Sequence, residues 1–379
     1  MYFNWRRFVV DVFWSLFPFG KPHLRIDGHR ARTLVMFFLC MAWMGGSGRL
    51  GLAVDRLLFP WFRRSRVRGP VFIVGNFRSG STLLHRMLAH APGFTAMKTW
   101  QIYFAPSISQ RKFWRGLWIV DGWLGGRLRA AILRAQERRL ATLPMHRILL
   151  QEPEEDEGLF LYLWDSLFNW FFVPRDANEN PYWRYDDEVP AWRRRKAMRF
   201  YREVLRRHLA LEGDDRVYLS KSPAFTARLT SLLEAFPDAR IIELVRHPFD
   251  SVVSTAGWLS FAWHFFASPR ERFPFLATVL RMTREWYLRP ARIVPRLPPE
   301  RYALLHYEDL VTRPTVVVPE MLERLGLPVT ERLRAELHLL ERQPRTYRTH
   351  DHTLGELGIP EAEAAELFRP VMERFGYEP

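Results

Sequence analysis

Residues 71–84 read Val-Phe-Ile-Val-Gly-Asn-Phe-Arg-Ser-Gly-Ser-Thr-Leu-Leu. Four apolar, mostly β-branched residues run into a glycine, a short polar loop and then a helical pattern. A buried strand that feeds a loop and a helix is the repeating unit of a parallel sheet covered on both faces. Gly75 and Gly80 are separated by four residues and followed by the hydroxyl pair Ser81 and Thr82. That is the spacing of a nucleoside-triphosphate phosphate loop, except that Ser81 stands where the motif has lysine. The basic residue of this loop is Arg78 instead. Backbone N–H groups of Ser79, Gly80, Ser81 and Thr82 would face an anion at a helix N-terminus, where the dipole also favours negative charge.

Further strand-like segments occur at 217–219, 240–245 and 302–305, and helical patterns at 81–90, 192–211, 224–235 and 249–257. The expected fold is α/β, a mostly parallel central sheet flanked by helices. Ligands of such sheets bind at the carboxyl ends of the strands. Arg78, Lys221, Arg246 and Tyr307 each follow one of the four strands, so one rim is expected to collect basic and polar groups suited to an anion.

The chain of 379 residues carries 56 Lys and Arg against 41 Asp and Glu, a net charge of +15. This excess suits an anionic ligand, a nucleic acid or an anionic membrane surface. The arginine clusters at 63–66 and 193–195 are too short for a nucleic-acid arm, so no nucleic acid is expected as a partner. Only five of the basic residues are lysine, which makes Lys221 noticeable. Cys40 is the single cysteine, so disulfides and cysteine-based metal clusters within the chain are excluded, which fits a reducing cytosol. No metal-ligand spacing stands out, and no metal is expected. Oligomeric state is not legible.

Residues 1–68 are expected to form an N-terminal amphipathic, helical region and 69–379 the main domain. Trp5, Phe8, Val9, Val12, Phe13, Leu16 and Phe17 recur at helical spacing, with Asn4, Arg7, Asp11 and Ser15 opposite. A second apolar run at 34–46 is too short to span a bilayer, which takes roughly 20 residues. Together with the aromatic and basic stretch 57–64, these segments read as a region lying on a membrane surface, peripheral to its inner face. Helices packed over the main domain are the alternative.

The loop at 75–84 resembles the 5′-phosphosulfate loop of sulfotransferases that use 3′-phosphoadenosine 5′-phosphosulfate (PAPS). Residues 241–254, with Arg246 ending a strand and Ser254 eight residues on, resemble the family's 3′-phosphate element; a guanidinium fork and a hydroxyl suit a phosphate. Residues 307–310, Tyr-Glu-Asp-Leu, look like the segment whose tyrosine lies near the adenine. The resemblance implies a sulfotransferase fold similar to that of P-loop proteins. It implies PAPS as donor, the bisphosphate PAP as product, and a donor site made of Arg78, Ser79, Gly80, Ser81, Thr82, Arg246, Ser254 and Tyr307. Lys221, in Ser-Lys-Ser-Pro, resembles the lysine of the bacterial branch. Its implied role is to stabilise charge on the bridging oxygen in the transition state, and Arg78 of the loop is a further catalytic candidate.

Transfer to a hydroxyl needs a base. Residues 152–157 hold five carboxylates in six positions, and the resemblance points to this cluster. Glu155 is the first candidate; Glu157 and His146 are the alternates. Aromatics are dense at 95–150 and 159–192, which points to a large apolar or lipid-like alcohol as acceptor. Two other classes stay open at this stage, an ATP- or GTP-dependent kinase with a degenerate phosphate loop and a non-catalytic nucleotide-binding membrane protein.

Overall fold

The computed structural model describes residues 2–17, 26–139, 149–172, 180–266, 275–342 and 354–378. Five parallel strands form one sheet in the order β2-β3-β1-β4-β5. They are β1 (Val71–Gly75), β2 (Phe94–Thr95), β3 (Val217–Lys221), β4 (Arg240–Val245) and β5 (Tyr302–His306). Four match the expected strands. β2, two residues long, is too short to leave a pattern in the sequence; it pairs with β3 at the edge.

Every residue of β1 is buried, and its side chains divide between two cores. Phe72 and Val74 enter one cluster with Tyr201, Tyr218 and Ile241. Val71 and Ile73 enter the other with Leu84, Leu219 and Ile242. A strand covered on both faces must be apolar at consecutive positions, which is why the run 71–74 does not alternate. The second core is closed by α3 (Ser81–His90) and by helix Pro314–Arg324. The first is closed by helix Ala191–Glu212 and, further out, by Met44 and Leu52 of the N-terminal region.

That region holds α1 (Trp5–Leu16) and α2 (Gly28–Leu58). The apolar run at 34–46 lies inside α2, a helix of 31 residues or about 46 Å at 1.5 Å per residue. By length and composition α2 could cross a membrane, so the run's shortness in sequence understates the helix. Its inner face, however, is built into the domain. Asp55 accepts from the backbone N–H of Ile108 and Ser109, and from Arg207 at 2.9 Å. Arg30, also buried, donates to Phe266 O.

One expected helix changes form, and one turn was not expected. Residues 223–228 are a 3-10 turn that precedes the α-helix Leu229–Ala235, and the acidic segment opens the 3-10 helix Asp156–Leu163. The helix expected at 249–257 extends over Pro248–Phe266.

Candidate active site

The strand ends are in register. Ile73 pairs with Lys221, Gly75 with Leu244, and Val245 with His306. The carboxyl ends of β3, β1, β4 and β5 therefore lie side by side, and Lys221, the loop 76–80, Arg246 and Tyr307 line one rim.

The loop is shaped by close approaches. Gly75 has φ +135°, and a Cβ there would lie 2.2 Å from Leu244 O on the neighbouring strand. Gly80 has φ +85°, and a Cβ there would lie 2.3 Å from Cδ2 of Tyr307. Tyr307 is thus seated against the loop where it turns into α3. Between the glycines, Arg78 adopts φ 64°, a left-handed conformation that a non-glycine residue rarely takes and that clusters at functional sites. Ser79 Oγ donates to Asn76 O, and Asn76 Nδ2 to Thr283 O. Thr226 clamps the entry to the loop: its hydroxyl accepts from Gly75 N at 2.9 Å and donates to Gly75 O at 2.8 Å.

Arg78 Nε donates to Ser254 Oγ at 2.9 Å. Arg246 donates to Arg78 O, pairs with Asp250 at 2.9 Å, and lies 4.8 Å above the Tyr307 ring. Expected partners of one phosphate, Arg246 and Ser254, are thus linked through Arg78. Burial, then the nearby Arg246 charge, lower the Arg78 pKa.

On the other side of the loop, Lys221 Nζ meets Glu155 Oε1 at 2.7 Å and Glu154 Oε1 at 3.9 Å. The lysine is buried. His85, on α3, is buried beside it, and its pKa is pushed down to about 3 by burial and then by the Lys221 charge. Its imidazole is therefore neutral at ordinary pH.

The carboxylates of the cluster have separate tasks. Glu155 faces Lys221. Asp156 accepts from the hydroxyls of Tyr201 and Tyr218, and burial raises its pKa to about 6. Glu157 is fully buried and accepts from Arg228 at 2.8 Å and from Leu167 N at 2.6 Å. As an alternate base, Glu157 is thus tied to a buried arginine and a backbone amide, a structural engagement that Glu155 does not share. His146, the other alternate, lies outside the described residues, as does the Arg-, Tyr- and His-rich stretch near 346–352.

The aromatics expected around the acceptor divide. Tyr103 is packed near the acidic cluster, where burial and then Glu154 and Glu155 raise its pKa. Phe113 and Trp123, by contrast, are 65% and 81% exposed on helix Ile108–Trp123.

The rim gathers Arg78, Lys221 and Arg246 around the carboxyl ends of three neighbouring strands. Cationic groups stand on both sides of a glycine-bounded loop, and Ser222 Oγ and Glu155 Oε2 are buried without a hydrogen-bond partner among the described residues. No group of three or more His, Cys, Asp or Glu able to hold a metal occurs among those residues. Thr226, Asp250 and His85 are not among the residues expected from the sequence. Asp250, in the first turn of helix Pro248–Phe266, stands four residues after Arg246, which precedes that helix.

A model of the sulfotransferase family matches residues 70–331. Omega-hydroxy-beta-dihydromenaquinone-9 sulfotransferase Stf3 of Mycobacterium bovis is 24% identical over 318 residues, 82% of this chain and 75% of that protein. Its Mycobacterium tuberculosis counterpart gives the same figures. In fold, the chain resembles sulfotransferase STF9 from Mycobacterium avium, with a TM-score of 0.76 and 18% identity, over 97% of this chain and 90% of that one. Sulfotransferase STF1 from Mycobacterium tuberculosis gives 0.68 and 17%, over 97% and 92%.

Proposed function

The chain belongs to the sulfotransferase family, and we propose that it moves a sulfuryl group from PAPS to the hydroxyl of a large apolar, lipid-like alcohol. The observation that carries this reading is the contact of Lys221 with Glu155, an ammonium and a carboxylate brought together at the end of β3 beside the phosphate loop.

Amides from Ser79 to Thr82 and the Arg78 guanidinium are the groups to hold the phosphosulfate. Arg246 and Ser254 are those for the 3′-phosphate, with Tyr307 bordering the nucleotide. Bound there, the donor supplies an activated sulfuryl group. Glu155 takes the proton of the acceptor hydroxyl as that oxygen bonds to sulfur. The bond from sulfur to the bridging phosphate oxygen breaks, and Lys221 offsets the charge gathering on that oxygen. PAP then leaves.

Two supports bear on the acceptor. The mycobacterial relatives are named for omega-hydroxy-beta-dihydromenaquinone-9, and we assign this chain a hydroxylated lipid acceptor. Such a molecule resides in a bilayer, and α2 carries exposed Val35, Met36, Leu39 and Trp43. Peripheral contact with the cytoplasmic face of the membrane belongs to the same reading.

Incubation of the purified protein with sulfur-labelled PAPS, a cell lipid extract and a set of water-soluble alcohols tests it. Label is expected in the lipid fraction. Faster labelling of a water-soluble hydroxyl compound than of every lipid alcohol overturns the acceptor, and preference for ATP with magnesium over PAP overturns the donor.

A further inference from the structure

We propose that the cleft between the start of α1, the second half of α2 and helix Ala191–Glu212 seats the headgroup of an anionic phospholipid, with α1 and α2 lying against the bilayer around it. The inference rests on the membrane contact of the preceding reading and adds the lipid class and the site.

The first observation is that α1 is inverted. An amphipathic helix on a water-soluble domain turns its apolar stripe inward. Here Asn4, Asp11 and Ser15 are buried, while Trp5, Val9, Phe13, Leu16 and Phe17 are exposed. The polar stripe is consumed by the domain. Asn4 Nδ2 donates to Tyr182 Oη at 3.1 Å, and Trp164 Nε1 donates to Asp11 at 2.9 Å. A row of exposed aromatic and aliphatic side chains is left facing outward at intervals of three to four residues. α2 is not inverted but apolar on both sides: its inner stripe carries Leu34, Phe37, Met44 and Leu52, and its outer stripe Met36, Leu39, Trp43, Leu50 and Leu57.

The second observation is the cleft beside that surface, a space of about 730 Å³ and thus in the size range of ligand pockets. Tyr2, Phe3 and Trp5 form one wall, and Trp5 belongs also to the outward stripe of α1. Arg49 and Arg56 come from α2 and Lys196, Arg199 and Arg207 from the opposing helix; Arg56 pairs with Glu203 at 3.0 Å and the buried Arg207 with Asp55 at 2.9 Å, which leaves Arg49, Lys196 and Arg199 for an anion. Arg49 lies 4.5 Å over the Phe3 ring and Lys196 lies 5.0 Å over that of Trp192. These two cations rest on rings, and the buried Arg49 Nε has no hydrogen-bond partner among the described residues. Arg49 Nη2 donates to Tyr162 O at 3.4 Å, and a phosphodiester supplies acceptors to the exposed Lys196 and Arg199.

Charge selects the occupant. Residues 1–68 hold twelve Lys and Arg against three Asp, and two of those acids, Asp11 and Asp55, are buried. A surface that pairs apolar rows with such an excess matches an anionic lipid interface. A second copy seated symmetrically on this face would set the same basic cleft against itself.

Co-sedimentation of the full chain with neutral phosphatidylcholine vesicles and with vesicles containing phosphatidylglycerol tests the site. Binding to the anionic vesicles is expected to be stronger by about tenfold or more, and Lys196→Glu with Arg199→Glu should abolish the difference. Trp5→Ser with Phe13→Ser should weaken binding to both. Unchanged PAP affinity shows that each variant is folded. Equal binding of the unaltered chain to both vesicles overturns the headgroup site while leaving the membrane reading intact. Failure to bind either vesicle, or a stable dimer that buries this face, overturns both. Competition by soluble glycerol phosphate as effective as that by the lipid shows a site for free phosphate and also overturns the proposal.

Discussion

Lys221 Nζ lies 2.7 Å from Glu155 Oε1, across 66 residues of chain. The lysine ends β3, an interior strand of the sheet, and the glutamate stands at the N-cap position of a 3-10 helix, so a strand end and a helix start bring opposite charges together. Each is held by packing, which suits groups that must act without reorganising.

Glu155→Gln keeps the shape and a hydrogen-bonding partner for Lys221 but removes the base. Turnover should fall by about 10²-fold or more, while PAP affinity, measured by calorimetry, stays the same. Lys221→Ala should also act on kcat more than on KM. Turnover of Glu155→Gln close to that of the unaltered protein assigns the proton to another group.

Arg246 makes its contact to Asp250 from the end of β4. Arg246→Ala is expected to weaken PAP binding by about 2 kcal/mol, or about 30-fold. Unchanged affinity in a direct titration removes Arg246 from the nucleotide site.

Gly80→Ala tests the seat of Tyr307. A Cβ there would lie 2.3 Å from the ring, at a φ of +85°. The backbone alone should cost about 1–2 kcal/mol, and displacement of the ring adds to it. Thermal melts and PAP titrations should both deteriorate, and Tyr307→Ala in the same chain should recover part of the melting temperature. Additive losses in the double variant mean that the ring is not what the methyl meets.

Positions that follow from chain order were legible. Arg78, Lys221, Arg246 and Tyr307 each follow an apolar run, and parallel topology carries all four ends to one rim. Partners set by packing were not. Thr226 reaches Gly75 from 151 residues away, and its neighbours in sequence say nothing of that contact. Within the carboxylates of 152–157 the sequence placed Glu155 ahead of Glu157 by resemblance, but not the partners that separate them: Lys221 for Glu155, Tyr201 and Tyr218 for Asp156, and Arg228 for Glu157. For α1 the period was readable but its direction was not. A polar stripe normally faces water, and here Trp164 and Tyr182 supply the hydrogen bonds that bury it.

Asp156 makes stability depend on pH. Its pKa rises from 3.8 to about 6 by burial, against the pull of the Tyr201, Ser220 and Tyr218 hydrogen bonds. A carboxyl with a raised folded pKa keeps its proton longer in the folded chain than in the unfolded one. Its effect is therefore absent below about pH 4 and grows unfavourable up to about pH 6, reaching at most about 3 kcal/mol. Asp156→Asn cannot ionise, so its melting temperature relative to the unaltered chain should climb between about pH 4 and pH 6 and then level off. A difference that does not vary with pH refutes the assignment.

Asp11 and Phe13 should behave in reverse of their residue types. Asp11 is buried, accepts from Trp164 Nε1 and pairs with Arg7 at 2.9 Å. Asp11→Ala leaves the indole donor and a guanidinium without their acceptor, a loss of about 1–3 kcal/mol. Phe13 is 46% exposed on the opposite side, so Phe13→Ser should shift the melting temperature far less. On a helix packed by its aromatic stripe the order would be the other way round, with the phenylalanine the costly loss. Melts of the two variants in detergent-free buffer decide which face of α1 the domain holds.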